Sequence, residues 1–400
     1  MQKLKRSGLN GLAGAALAAL VFGAAPALAD TVKVGVVLPY SGAFAGLTAV
    51  LDNAIKLWVK EHGDTAGGTK IELIRRDTTG PNPEIAKRLS QELIARDGVK
   101  ILTGFVFTPE PLAVAPLLTE AKIPLVIMNA ATSSIPAASP YITRTSLALP
   151  QTTQIFGRWA ATKGGIKTAI TSVADYGPGY DTEKYFSLGF TESGGKILNS
   201  VRIPLVNPDF VPYLQRILDQ KPDGVYAFLP GGTQPVQYVK AFSDLGLKKA
   251  GIKLLPSAEA VDEQTLDNLG DQAVGLITST NYTAGRKTPA NTAFIDAWHK
   301  AYGPEKDPDL FAVAAWDGMH LIYDMVQKLG SKIDGDSAMA LAKGWSIESP
   351  RGPISIDPAT RDIVQNIYIC RTERVNGRLE NVVIETYNAV KDPAKEAAKK

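Results

Sequence analysis

From Val32 onward, short apolar runs rich in β-branched residues alternate with longer stretches whose apolar residues recur at helical spacing. Residues 32–38 form a continuous apolar run with one lysine, the pattern of a strand covered on both faces. Residues 47–60 then carry Leu47, Val50, Leu51, Ala54, Leu57 and Trp58 on one helical face. Further strands are predicted over 70–76, 100–104, 124–128, 168–173, 196–203, 224–229, 253–255 and 274–278, with helices in the intervals. Repeated βα units imply largely parallel sheets, and one sheet of this size would be unusually wide. The fold class predicted is therefore α/β with two doubly wound lobes. After about Asn281 the alternation stops. Two helices, about 289–302 and 308–329, follow each other directly. Then 352–356, 364–374 and 381–387 read as antiparallel strands around the turn Val375-Asn376-Gly377-Arg378.

Nearly every predicted strand ends in small or polar residues: Pro39-Tyr40-Ser41-Gly42, Asn129-Ala130-Ala131-Thr132, Asp175-Tyr176-Gly177 and Pro230-Gly231-Gly232. In open α/β sheets ligands bind outside the carboxyl ends of the strands, so these loops are where function is sought. Each loop alone is explained by a turn or a helix cap. Loops of this kind from both halves of the chain point to a shared cleft.

The first residues set the compartment. Lys3, Lys5 and Arg6, an apolar stretch over 9–22 and the triplet Ala27-Leu28-Ala29 ahead of Asp30 read as a secretory leader, 1–29, cleaved after Ala29. Gly11, Gly14 and Gly23 break that stretch, which is short for a bilayer span. The leader carries the whole net charge of +3, because without its three cations 40 basic residues face 40 acidic ones. That balance leaves no basic field for nucleic acid and no run of charge for an anionic membrane. One cysteine, Cys370, permits no internal disulfide and lies far from the cleavage site, so no lipid anchor is expected there. Stability must then come from the core, and the bacterial periplasm is the expected location. The tail 391–400 is polar and reads as a frayed, solvated end.

Catalytic motifs are missing. His62 and His299 fall on polar helix faces and His320 in an apolar helix, and no two have zinc-ligand spacing. The sequence has no G-x-S-x-G elbow and no phosphate loop, and the loop after the first strand lacks the G-x-G-x-x-G of dinucleotide sites. Asp77, at the end of the second strand, reads as a residue that caps or pins a loop. No enzyme activity, cofactor or metal is expected.

With these features the chain resembles the leucine/isoleucine/valine-binding protein family, the type I periplasmic binding proteins of ABC importers. The resemblance runs from Val32 to about Tyr387. Residues 34–45, Val-Gly-Val-Val-Leu-Pro-Tyr-Ser-Gly-Ala-Phe-Ala, are similar to the family's first strand and loop. Asp77 followed by Pro81-Asn82-Pro83-Glu84-Ile85-Ala86 is similar to its second strand end and helix start. The resemblance implies a hinge of three crossing strands, near 144–150, 278–283 and 347–356. It implies an N-terminal lobe of 30–147 plus 281–350, and a C-terminal lobe of 148–280 plus 351–390.

Binding positions carry over by the same resemblance. Gly104-Phe105-Val106-Phe107-Thr108 occupies the loop where the family holds a ligand carboxylate with a serine hydroxyl and an amide, making Thr108 the counterpart with Phe107 beside it. Ala130-Ala131-Thr132 matches the next loop, where backbone groups and a threonine hydroxyl meet the carboxylate and amino group. A helix N-terminus there offers free amides, so no arginine is required. Tyr176 matches the second-lobe tyrosine, Glu259 an acidic partner for a ligand ammonium, and Phe311 and Trp316 the aromatic walls. The departures are Phe107-Thr108-Pro109 in place of a hydroxyl-rich run, Leu47 where an aromatic is common, and Gly231 where the family can place a second tyrosine. They imply a more apolar pocket, enlarged for an aromatic carboxylate.

The expected protein is a monomeric substrate-binding component that takes a small carboxylate-bearing solute and hands it to permease subunits in the inner membrane. That solute is a branched-chain or other hydrophobic amino acid, or an aromatic acid. The alternatives are a ligand-sensing receptor domain and an amide or urea binder of the same family.

Overall fold

The computed structural model describes residues 30–397, so the leader and its cleavage site lie outside the described residues. Strand β1 (Thr31–Leu38) is buried over its last five residues, as a two-sided apolar run must be. It pairs in parallel with β3 (Thr69–Asp77) and β4 (Ile101–Gly104), while β2 (Thr65–Ala66) forms a short antiparallel hairpin with β3. Adding β5 (Leu125–Ile127) and β6 (Ile142–Arg144) completes a first sheet of order β2-β3-β1-β4-β5-β6. Helices Ala45–His62, Pro83–Glu92 and Pro109–Ala121 make the crossovers.

The second sheet is wholly parallel: β7 (Thr168–Ala174), β8 (Lys196–Ile203), β9 (Gly224–Phe228) and β10 (Lys253–Pro256) in the order β10-β9-β7-β8. Helices Leu149–Ala161 and Gly177–Glu192 cross closely because two glycines face each other's backbones. A Cβ at Gly157 would lie 2.2 Å from the Phe186 carbonyl oxygen, and one at Gly189 2.1 Å from that of Gln154.

A third, antiparallel sheet joins the two. It contains β11 (Ile277–Thr280), β12 (Ser346–Ser349), β13 (Gly352–Ile356), β14 (Ile363–Val375) and β15 (Arg378–Val390), and the long β14 bonds β11, β13 and β15. The result is two α/β lobes joined by a hinge. Helix Leu310–Leu329 packs on Ala45–His62 and so returns the chain to the first lobe.

Two expectations are corrected. The strand anticipated over 274–278 is Ile277–Thr280. Gly275, at φ +83°, turns the chain, and its N–H is already spent on the Thr372 carbonyl. The tail is not frayed over its described part, because Asp392 is buried and Pro393–Ala397 is a short helix docked on Leu149–Ala161. Among the described residues, no helix is long and apolar enough to cross a membrane.

Candidate functional site

The carboxyl ends of β4 and β5 form one wall. After Gly104 the backbone turns through positive φ at two successive residues, Gly104 (+99°) and Phe105 (+59°). A Cβ at Gly104 would stand 2.5 Å from the Val37 carbonyl oxygen, so only glycine fits. A phenylalanine at positive φ is strained, and the strain is held by hydrogen bonds from the Phe105 amide to the Val37 carbonyl and from the Ala130 amide to the Phe105 carbonyl. The turn sends Phe105 into the core and Phe107 toward the cleft, edge-on to Phe44 at 4.6 Å.

Thr108 precedes helix Pro109–Ala121, but its hydroxyl does not cap it. It meets the Thr132 hydroxyl instead, at 2.7 Å, and both residues are buried. Glu110 accepts a hydrogen bond from the Phe107 amide at 3.2 Å, and burial pushes its carboxyl up to about 7. Ala130 stands behind this wall. Its amide bonds Phe105 and its carbonyl accepts from Arg144 Nη1 at 3.2 Å, while its neighbours Asn129 and Ala131 line the cavity.

The opposing wall comes from the second sheet. Tyr176, just before helix Gly177–Glu192, lies nearly parallel to Phe228 with ring centres 6.4 Å apart. Gly177 sits over the threonine pair: a Cβ there would be 3.4 Å from Thr132 Oγ1 and 3.5 Å from Thr108 Cγ2. Gly231 likewise faces Phe311, whose Cζ would be 2.7 Å from an added Cβ. The bare glycine is what admits the Phe311 ring, and it explains why no second tyrosine stands at that position.

Between these walls lies a cavity of about 430 Å³, open solvent included. Phe107, Tyr176, Gly231, Glu259 and Phe311 all line it, whereas Thr108, Ala130 and Thr132 lie just behind the lining residues Phe107 and Ala131. Trp316 does not reach it and packs against Trp58 (4.8 Å) and Phe294 (5.0 Å). Leu149, Phe228 and Asn129 were not anticipated as lining. Phe228 could have been, since it ends a strand in the same way as the residues before Pro230.

Glu259, on a single 3₁₀ turn after β10, is the one acidic group in this lining. Burial pushes its carboxyl upward, hydrogen bonds offset part of the shift, and burial followed by Glu259's charge raises the Tyr176 hydroxyl as well. A second cavity of about 340 Å³, open solvent included, continues past Glu259, sharing Leu147 and Leu149, and is lined by Ser257 and by Ser279, whose hydroxyl lacks a hydrogen-bond partner. The lining is thus apolar and aromatic with one protonatable carboxyl, and the threonine hydroxyl pair lies just behind it. A larger groove of about 1250 Å³, with Phe242, Leu254 and Lys253 in its lining, lies at the amino ends of β7 and β10, away from the strand-end loops. It has no set of buried polar groups converging on one point, so the smaller cavity is the better candidate. Asp77 pins the first loop, accepting from the Ser41 and Thr79 amides at 3.3 and 2.7 Å.

Comparison with known proteins places this geometry. The family model described as periplasmic binding protein matches residues 31–377. A Leu/Ile/Val-binding protein homolog 6 of Brucella melitensis is 41% identical over 383 residues, covering 96% of this chain and 98% of that protein. A solute-binding protein of an ABC transporter from Rhodopseudomonas palustris BisB5, solved with 3,4-dihydroxybenzoic acid, superposes with a TM-score of 0.88 at 47% identity, covering 92% of this chain and 99% of that one. Its counterpart from the HaA2 strain, solved with p-hydroxybenzoic acid, gives 0.88 at 42% identity over 93% and 100% of the two chains. A leucine-binding protein of Thermotoga maritima shares the fold, with a TM-score of 0.78 at 22% identity. On the strength of the two-lobed fold and these matches, the chain belongs to the periplasmic binding protein family, in its leucine/isoleucine/valine-binding, type I branch.

Proposed function

We propose that this protein captures a hydroxylated aromatic carboxylate in the periplasm and delivers it to the permease of an ABC importer. The observation that carries the reading is the lining of the cavity, Phe107, Phe311, Tyr176 and Phe228 with Glu259 as its one acidic group, together with the Thr108–Thr132 hydroxyl pair next to Phe107 and Ala131. A benzoate ring is flat and apolar, and fits between aromatic walls. Its carboxylate accepts from the threonine hydroxyl pair, since Pro109 and Pro111 give the following helix no free amide there. A ring hydroxyl reaches Glu259. Relatives 47% and 42% identical to this chain were solved with dihydroxy- and hydroxybenzoic acids, which supports the same class here.

In this reading the lobes comprise 30–147 with 281–350 and 148–280 with 351–390, and the protein works as a monomer. It is exported by its leader and binds without turnover. Mass spectrometry of small molecules released from the freshly purified protein tests the proposal: a hydroxybenzoate is expected, and an aliphatic amino acid in its place would overturn it.

One observation favours a second reading. Glu259 is placed to pair with a ligand ammonium, as a branched-chain amino acid would require. Against this, ionising Glu259 in its buried setting costs free energy that a phenol hydroxyl does not demand.

A further inference from the structure

Ser133, one residue beyond Thr132, is held from two sides. Its amide donates to Asp181 Oδ2 at 2.8 Å, and Asp181 lies on helix Gly177–Glu192, which packs on the second sheet. Its hydroxyl donates to Asp392 in the docked C-terminal segment. Beneath this loop the fully buried Arg144 forks onto Asp362, with Nε and Nη2 at 2.7 and 2.6 Å from the two carboxylate oxygens. Arg144 Nη1 also donates to the carbonyls of Ala130 and Thr132, at 3.2 and 2.9 Å. Lys395, two residues into the terminal helix, donates to Asp362 at 2.5 Å. The loop that carries Thr132 is thus tied to its own lobe through Arg144, to the opposite lobe through Asp181, and to the chain's end through Asp392 and Lys395.

These ties differ in when they exist. The Arg144–Asp362 fork links the loop to the joining sheet, whereas the Ser133–Asp181 bond runs between elements packed on different sheets and must break when the lobes part. We infer that Asp181 is a positioning residue that latches the closed form, and that Asp392, whose segment docks on Leu149–Ala161 of the same lobe, holds the Ser133 hydroxyl as a second part of that latch. The inference rests on the proposed capture of a solute in this cleft. A bond made only in the closed state slows opening without changing encounter, so it acts on ligand release.

The test is stopped-flow binding of 4-hydroxybenzoate to the full chain. Asp181→Ala is expected to speed dissociation about tenfold and leave association within a factor of two. Asp181→Asn keeps an oxygen that can accept from the Ser133 amide, and is expected to restore most of the slow release. Asp392→Ala is expected to speed dissociation and to raise amide exchange in residues 129–133. Equal release from the wild type and Asp181→Ala would overturn the latch, as would equal loss in the Ala and Asn variants. If the wild type binds no hydroxybenzoate, the capture reading fails and the latch is read without ligand, from spin-label distances between Lys87→Cys and Lys240→Cys. A shift of Asp181→Ala toward open distances supports the latch, and an unchanged distribution overturns it.

Discussion

The hydroxyls of Thr108 and Thr132 meet at 2.7 Å although 24 residues separate them, because each follows the carboxyl end of one of two adjacent parallel strands, β4 and β5. The pair lies under Gly177, and because one hydroxyl donates to the other, one hydroxyl hydrogen is left for a carboxylate entering the cleft. Replacing either residue by valine keeps the volume and removes the hydroxyl. A hydrogen bond to a charged group contributes about 1.5–3 kcal/mol, so each variant is expected to bind 4-hydroxybenzoate roughly 10- to 100-fold more weakly. Calorimetry checks this. Unchanged affinity in both variants would move the carboxylate elsewhere.

In the proposed reading Gly231 limits how far the lobes close. Its missing side chain leaves room for the Phe311 ring, and Leu47 Cδ1 would be only 3.6 Å from an added Cβ. Gly231→Val is expected to hold the cleft partly open, weakening ligand binding at least tenfold while the melting temperature of the ligand-free protein changes little. Calorimetry and thermal unfolding of the same preparation separate the two effects.

In the proposed reading Glu259 meets the ring hydroxyl of the ligand. Glu259→Gln keeps the shape and hydrogen-bonding capacity but removes the ability to ionise. It is expected to retain hydroxybenzoate binding within about tenfold and to narrow the preference for 4-hydroxybenzoate over benzoate. A ligand anchored by an ammonium would instead lose nearly all affinity, so competition binding with both ligand types decides between the two.

Buried carboxyls make stability depend on pH in an unusual direction. Burial is the main cause that pushes Asp309 up to about 7, Glu263 to about 8 and Glu110 to about 7. In the unfolded chain such groups release their protons near pH 4. Between about pH 4 and 8 the unfolded state therefore holds fewer protons than the folded one, and stability falls as pH rises through that window. Urea unfolding at pH 5, 6, 7 and 8 is expected to show a declining midpoint, with a shallower decline in Glu263→Gln. A midpoint that climbs over this range would contradict the assignment.

Much of this was legible because buried parallel strands are contiguous apolar runs and their ends are punctuated by glycine and small residues. Strand β8 (Lys196–Ile203) falls where the pattern placed it, and so do the loops bearing Phe107, Tyr176 and Gly231. What escaped has a physical reason in each case. Strands Ile142–Arg144 and Ser346–Ser349 are too short for a periodic signal. Trp316 follows Phe311 by five residues, which turns it about 140° around the helix, so one faces the cleft and the other faces Trp58. The docking of the tail depends on Ser133, 259 residues away from Asp392, and local polarity carries no trace of it.

In the proposed function an aromatic carboxylate fills the inter-lobe cavity. Isothermal titration of the mature protein with 4-hydroxybenzoate and with leucine tests this most directly. Saturable one-to-one binding of 4-hydroxybenzoate, with leucine at least 100-fold weaker, is the predicted result. Tight binding of leucine with no heat from 4-hydroxybenzoate would contradict it.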